Sequence, residues 1–194
     1  MIKALFALAL LLALTACGGG PTDGPALKNM DNACSIVAQR PDYLKAMKRT
    51  ESRWGVPVAV QMATIYQESK FEARARTPQK FALGVIPMGR QSTAYGYSQA
   101  LDGTWEEYQR AEGGRRARRD NIHHATDFMG WYMHLSHTEL GIPKSDTQSQ
   151  YLAYHEGRTG FRRGSYRQKA WLMRVSGEVA TRAVLYDAQL RTCL

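Results

Sequence analysis

The sequence is poor in the features that build metal-stabilised or heavily cross-linked proteins. Its 194 residues include only three cysteines, and no two of them have the spacing of a zinc site. The metalloprotease pattern His-Glu-x-x-His is absent, and no internal repeat or second domain boundary stands out. We therefore expect one domain around a hydrophobic core, with no metal and no cofactor. A weaker alternative is a metal bound by His134 and His137, which lie three residues apart.

Long apolar runs are also scarce. The longest covers residues 4–14 and follows Lys3, and its eleven residues are too few to span a bilayer but match the core of an export signal. The next residues, Leu-Thr-Ala-Cys-Gly at 14–18, resemble the bacterial lipobox, whose cysteine becomes the lipidated first residue of the mature protein. We expect residues 1–16 to be a lipoprotein signal peptide. The alternative is an ordinary signal peptide that contains a cysteine.

This interpretation predicts the location and the domain boundaries. Cys17 would carry lipid, and residues 17–30, rich in Gly and Pro, would form a flexible tether. Because Gly18 rather than Asp follows the cysteine, the resemblance to sorted lipoproteins implies the periplasmic face of the outer membrane. The folded domain would cover residues 31–194.

Two cysteines remain, Cys34 and Cys193, one near each end of this domain. In an exported and oxidising compartment we expect them to form a disulfide. The alternative is a pair of free buried thiols.

Carboxylates are outnumbered, since 26 Lys and Arg face 17 Asp and Glu, giving a net charge of +9. A basic exported protein meets anionic cell-wall polymer or lipid head groups before nucleic acid. We therefore expect no nucleic-acid partner. The arginine-rich run at residues 115–119 is interpreted as a solvated loop face.

Helical periodicity punctuated by Gly and Pro predicts a mainly α domain with seven helices. The predicted segments are 31–40, 42–53, 57–69, 104–111, 120–139, 146–155 and 166–190. Thr104 with Glu107 fits a capping box, and Asp120 is positioned to cap the next helix. Residues 77–100 form either a small β-hairpin or a long loop. The four tryptophans are expected mainly in the core, although one at a groove edge would suit stacking on sugars.

Glu68 is the leading candidate for a catalytic group. It lies three residues after Ile65 at the end of the predicted helix 57–69, near the edge of its buried face. Desolvation there would raise the carboxyl pKa toward the value that a general acid needs at neutral pH. The alternative is a solvated glutamate in the last helical turn.

Several motifs follow one another in a fixed order. They are Val56-Pro57, Glu68-Ser69-Lys70-Phe71, Ala75-Arg76-Thr77-Pro78, Gly96-Tyr97-Ser98-Gln99 with Thr104 beyond it, Asp120-Asn121-Ile122, and Ala153-Tyr154-His155-Glu156-Gly157. Together they resemble the soluble lytic transglycosylase family, which has a lysozyme-like fold. The resemblance covers residues 56–157. The chain departs from the family at Ser98, where methionine is usual, at His155, where asparagine is usual, and in a longer segment at 79–95.

The resemblance implies cleavage of the β-1,4 bond between N-acetylmuramic acid and N-acetylglucosamine in peptidoglycan, without water, to give a 1,6-anhydro end. Glu68 would act first as general acid and then as base, while the substrate's acetamido oxygen meets the positive intermediate. A second acid is therefore not required, and we interpret Glu72 as a surface residue.

The resemblance also implies a group of substrate-binding residues. Tyr154 would orient Glu68, Gln99 would hydrogen-bond a sugar, and Ser69 would support the catalytic loop. The whole predicted group is Ser69, Gly96, Tyr97, Ser98, Gln99, Tyr154, His155 and Glu156.

The expected partners are peptidoglycan strands and, through Cys17, a membrane, and we expect a monomer. Two rival functions stay open at this point. One is a hydrolytic, lysozyme-type muramidase, and the other is a non-catalytic peptidoglycan-binding lipoprotein.

Overall fold

The structure, a computed structural model, describes residues 26–194. The predictions for the signal peptide and for Cys17 lie outside these residues. The elements are α1 (Ala33–Gln39), α2 (Pro41–Trp54), α3 (Val58–Ser69), β1 (Gln79–Ala82), β2 (Ile86–Arg90), α4 (Asp102–Tyr108), α5 (Ile122–Leu140), α6 (Thr147–Arg163) and α7 (Ala170–Cys193). A π-helical turn at Gln109–Gly113 extends α4, and a 3-10 turn at Ser165–Gln168 precedes α7. None of the helices in residues 26–194 is long and apolar enough to cross a bilayer.

The mainly α prediction is confirmed, and the irregular segment contains a hairpin. Strands β1 and β2 pair antiparallel and form a two-stranded sheet. The predicted caps of two helices were wrong. Leu101, not Thr104, precedes α4, and Asn121, not Asp120, caps α5 by accepting a hydrogen bond from the His124 backbone N–H. Asp120 lies one residue before this capping position and instead binds Arg118, with Arg118 Nε 3.0 Å from Asp120 Oδ1.

Helix α3 is the central element of the larger core. The sequence predicts one buried face, but the structure buries every residue from Val58 to Ile65. The Gln61 amide N–H₂ donates to the Met47 and Val56 carbonyl oxygens, and the Thr64 hydroxyl donates to the Val60 carbonyl oxygen. Helices α2 and α7 pack against α3. A helix buried on all sides is held firmly in place. The last turn of α3 contains Glu68 and Ser69.

An aromatic cluster forms a second core between α4 and α5. Trp105, Tyr108, Phe128, Trp131 and Tyr132 are all buried there. Neighbouring rings lie between 5.2 and 6.3 Å apart in tilted or edge-to-face arrangements, which aromatic quadrupoles favour. This cluster fixes the side of α5 that faces the open cleft.

The two ends of the described fold meet at α1 and α7. Cys34 and Cys193 are joined by a disulfide, with their Cα atoms 6.0 Å apart. The Gln189 side chain also accepts a hydrogen bond from the Ala33 backbone N–H, at 2.7 Å. Helix α7 in turn packs against α3 and α6. The termini therefore close the fold behind the central helix.

Candidate active site

A cleft of about 430 Å³ opens between the end of α3, the loop before α4, α5 and α6. This volume is within the range of small-ligand sites. Its lining is Glu68, Thr77, Ala94, Gln99, Ala100, Leu101, Thr104, Phe128, Tyr132, Tyr154, His155, Glu156 and Gly157. Five of the predicted site residues are therefore in one cleft: Glu68, Gln99, Tyr154, His155 and Glu156.

Glu68 lies in the last turn of α3, just before an unusual backbone. Lys70 and Phe71 have φ values of 51° and 62°, in the left-handed region that residues other than glycine rarely occupy. Phe71 is anchored there, since it is buried and stacks on Tyr43 with ring centroids 5.8 Å apart. Such strain persists only where packing enforces it, and it is often found at functional sites. Here it turns the chain sharply after Glu68.

Burial raises the pKa of Glu68 from 4.5 to about 7, against a lowering effect of a hydrogen bond from the Tyr151 side chain. The residue remains partly exposed because it lines the cleft, while protein surrounds its carboxyl group. A carboxyl with this pKa holds its proton on about half of the molecules at neutral pH. It can therefore donate a proton and later accept one.

Tyr151, which the sequence analysis missed, is the tyrosine that binds Glu68. The hydroxyl of Tyr154 instead donates to the Ser98 carbonyl oxygen at 2.6 Å. The two tyrosines are three residues apart on one face of α6, so both approach the cleft, and the rotation of α6 decides which one reaches Glu68. The hydrogen bond to Glu68 that was predicted for Tyr154 is thus made by Tyr151, and Tyr154 binds the neighbouring loop.

The motif at residues 96–99 supplies one cleft residue rather than four. Gly96, Tyr97 and Ser98, predicted to bind substrate, are buried and do not line the cleft. The Tyr97 hydroxyl lies 3.0 Å from that of Tyr43 inside the core. An added Cβ at Gly96 would lie 2.2 Å from the Arg119 carbonyl oxygen, so this position requires glycine. Only Gln99 faces the cleft, because the first three residues hold the loop against the core.

Gln99 is itself fixed within this loop. Its side-chain N–H₂ donates to the carbonyl oxygens of Ala75 and Gly96, at 3.1 and 2.7 Å. Both donor hydrogens are thereby used, which leaves the amide oxygen to accept a hydrogen bond from a ligand. Toward the cleft Gln99 can therefore accept a hydrogen bond but not donate one.

Arg119 belongs to the arginine-rich run yet is not a solvated residue. Its guanidinium donates to the carbonyl oxygens of Thr93 and Ala100 and pairs with Asp102 at 2.7 Å. It therefore ties the loop on both sides of residues 96–99 to the start of α4. The solvated interpretation holds for Arg115 and Arg116, which are exposed.

Glu156 is in the cleft wall but is held by its own partners. Lys169 donates to both carboxylate oxygens at 2.7 and 3.0 Å, and the Ser165 hydroxyl donates to one of them. Burial alone would raise the pKa of Glu156, but these hydrogen bonds and one from His155 outweigh it and lower the pKa to about 2. Glu156 is therefore ionised at neutral pH and cannot act as a proton donor.

His155 and Trp171 form an exposed edge beside this wall. His155 lines the cleft, and its ring meets that of Trp171 edge-on at 5.2 Å between centroids. The indole is 49% exposed, so Trp171 matches the groove-edge alternative, whereas Trp105 and Trp131 are buried in the core as expected. An exposed indole next to a cleft offers a flat apolar face for a sugar ring.

Three groups of residues singled out in the sequence lie outside the cleft: Ser69, Glu72, and the pair His134 and His137. Ser69 is buried and its hydroxyl donates to the Ile65 carbonyl oxygen at 3.2 Å, so it stabilises the helix end and does not contact the cleft. Glu72 is exposed at the surface, as predicted. His137 bonds the Ile142 carbonyl oxygen and His134 faces Trp54. Across residues 26–194, no cluster of three or more His, Cys, Asp or Glu side chains could hold a metal ion.

The profile of the family described as Transglycosylase SLT domain matches residues 5–193, nearly the whole chain. No curated protein and no solved structure matches.

Proposed function

The chain belongs to the Transglycosylase SLT domain family, and from that premise we propose that it cleaves peptidoglycan glycan strands as a lytic transglycosylase. The bond cut is the β-1,4 linkage between N-acetylmuramic acid and N-acetylglucosamine. The product carries a 1,6-anhydro end, and water does not take part. Glu68 is the catalytic residue.

The reaction needs one carboxyl group twice. Protonated Glu68 donates its proton to the glycosidic oxygen as the bond from this oxygen to C1 of N-acetylmuramic acid breaks. The acetamido oxygen of the same N-acetylmuramic acid then bonds to C1. The Glu68 carboxylate then removes the proton from the C6 hydroxyl, and O6 displaces the acetamido oxygen from C1. Glu68 thereby regains its proton, and no atom of water is added.

The observation that carries this proposal is the contrast between the two acids of the cleft. The pKa of Glu68 is raised to about 7 by burial, whereas the Lys169 ion pair keeps Glu156 ionised. Ordinary glycosidases use two carboxyl groups, one of them free to act as nucleophile or base toward water. Glu156 is occupied by Lys169 and Ser165, which favours a mechanism with a single acting carboxyl.

The remaining cleft residues supply substrate contacts. The Gln99 amide oxygen accepts from a sugar N–H or hydroxyl, and His155 with Trp171 provides an aromatic edge for a neighbouring sugar ring.

Purified sacculi incubated with the protein provide the test. We expect muropeptides with 1,6-anhydro ends by mass spectrometry, and we expect Glu68→Gln to abolish their release by at least about 1,000-fold, since it removes both proton transfers. Glu72→Gln, four residues away and exposed, is the matched control and should keep activity. Products with reducing ends would assign the protein to the hydrolytic muramidases instead. Unchanged sacculi with the unsubstituted protein would favour a binding role.

We also propose that the protein is anchored to a membrane through its N-terminal region. Lipidated Cys17 would hold the protein on the periplasmic face of the outer membrane, within reach of peptidoglycan. Mass spectrometry of the N-terminal peptide from membranes should show diacylglycerol on Cys17. An unmodified cysteine there would contradict it.

A further inference from the structure

The hairpin of β1 and β2 carries a dense group of exposed apolar side chains. Leu83 is 90% and Val85 76% exposed at its tip, and Met88 is 65% exposed on β2. Phe81 and Ile86 are each about half exposed. Neither hydrophobic core includes any of these five residues. A folded domain does not normally leave so much clustered apolar surface in water unless the surface has a partner.

The residues that flank the hairpin are fixed by contacts with one another. The Thr77 hydroxyl donates to the Ser92 carbonyl oxygen at 3.0 Å, and Arg76 lies over the Tyr95 ring at 4.1 Å. Thr77 and Ala94, on the two sides of this base, both line the cleft. The apolar tip is therefore held at a defined position beside the cleft opening.

The charge around the hairpin has one sign. Between Glu72 and Asp102 the chain contains no carboxylate, while it contains Arg74, Arg76, Lys80 and Arg90. All four are exposed. Basic groups beneath an apolar tip match an anionic lipid surface, in which the tip enters the acyl boundary and the cations meet phosphate groups.

The shape of the hairpin distinguishes lipid from a protein partner. Neighbouring strand residues point to opposite faces, and exposed apolar side chains occur on both faces and at the tip. A protein partner would cover one face of this protrusion, whereas lipid surrounds it on all sides. The two-stranded sheet also leaves both edges unpaired, which limits insertion to the interfacial layer, where head groups and water can satisfy the backbone.

We propose that the hairpin at residues 79–90 is a membrane-docking element that inserts Leu83, Val85 and their apolar neighbours into an anionic lipid surface. It is independent of the catalytic proposal and of Cys17. It would hold the cleft opening close to the membrane in a fixed orientation.

A local fluorescent probe tests this in the full-length chain. Leu83→Cys labelled with an environment-sensitive dye should show a blue shift, increased emission and quenching by nitroxide lipids when phosphatidylglycerol–phosphatidylethanolamine vesicles are added. Val184→Cys, which replaces a side chain 70% exposed on α7, is the matched control and should stay in water. Every variant in this test also carries Cys17→Ser and keeps the Cys34–Cys193 disulfide oxidised, so that the dye reports only from position 83 or 184.

A second substitution tests the apolar contact itself. Val85→Asp should weaken insertion of the probe at position 83 by roughly tenfold or more, since it removes the burial of one apolar side chain. Val184→Asp should leave insertion unchanged. Both variants should retain native circular dichroism, because Val85 and Val184 are both exposed.

Three outcomes would overturn the proposal. In the first, the probe at position 83 would remain in water with every vesicle. In the second, it would insert equally well into neutral phosphatidylcholine vesicles, which would show that the basic residues do not contribute to docking. In the third, it would be shielded only as the protein concentration rises, which would assign the hairpin to contact between two copies of this chain.

Discussion

Glu68 shows how much the environment of a single residue decides. Its position in the last turn of α3 is readable from the sequence, but a glutamate at a helix end is usually solvated. The structure surrounds the carboxyl with protein and gives it one hydrogen bond, from Tyr151. Burial raises its pKa, and the hydrogen bond opposes part of that rise.

The buried carboxyl should cost stability at neutral pH. Because the pKa of Glu68 is raised from 4.5 to about 7, the folded state holds this proton more tightly than the unfolded state. The free energy of unfolding therefore falls as the pH rises between these values. We expect Glu68→Gln to be more stable than the unsubstituted protein by about 1–3 kcal/mol at pH 8 and equally stable near pH 4.

Urea unfolding at a series of pH values measures this difference. Glu72→Gln, at an exposed site, should show no such pH dependence. A constant difference between Glu68→Gln and the unsubstituted protein from pH 4 to pH 8 would mean that the carboxyl is solvated.

Tyr151 should set the pH range of activity. The reaction starts from protonated Glu68, so the rate should fall as the pH rises through about 7. The Tyr151 hydrogen bond stabilises the carboxylate, so Tyr151→Phe should move this descending limb to higher pH and lower the rate of the base step. Tyr154→Phe, which loses the bond to Ser98, should reduce activity without moving the limb. The measurement is kcat/KM for sacculus solubilisation against pH, and a limb that moves only in Tyr154→Phe would reverse the two roles.

At the scale of elements, the loop before α4 is shaped by a long-range fit. Gly96 has φ of 80° and lies against the backbone of Arg119, whose side chain in turn holds Thr93 and Ala100. These contacts place Gln99 in the cleft with its own φ of 48°. The loop is therefore a rigid support for one functional side chain.

Gly96→Ala should disrupt this support. The added Cβ would overlap the Arg119 carbonyl oxygen and force an unfavourable φ, at a cost of about 2–4 kcal/mol. Gly103→Ala is the matched control, since Gly103 is helical and has nothing within 4 Å of the added Cβ, so it should be neutral or stabilising by up to about 1 kcal/mol. Chemical denaturation reports both values, and activity should fall in the first variant only. If Gly96→Ala and Gly103→Ala were equally stable, the backbone around Gly96 would be able to shift and accommodate the added Cβ.

At the scale of the whole molecule, the disulfide constrains nearly the entire described chain. Cys34 and Cys193 are separated by 159 residues, so the cross-link removes a large loop entropy from the unfolded state. We expect the double substitution Cys34→Ala and Cys193→Ala to lower the free energy of unfolding by up to about 5 kcal/mol. Mass spectrometry of a non-reduced digest should show the linked peptides. Two free thiols, or equal stability with and without a reducing agent, would contradict this prediction.

The sequence by itself determined the helices and their order, because apolar periodicity and Gly or Pro punctuation are local properties. It also determined the family motifs, the position of Glu68 at a helix end, and a short hairpin as one of two options for residues 77–100. The starts of helices were predicted less well. The capping-box pattern placed the start of α4 at Thr104, whereas the helix begins two residues earlier, at Asp102.

Only the tertiary structure decided which side chains meet. The burial of residues 96–98, the loop contacts of Arg119 and the exposure of Trp171 all depend on how elements far apart in the chain pack together. The choice between Tyr151 and Tyr154 as the partner of Glu68 depends on the rotation of α6 against α3, since both residues share one helix face. Sequence spacing fixes what a helix can present, and packing between helices fixes which atom comes within hydrogen-bond distance.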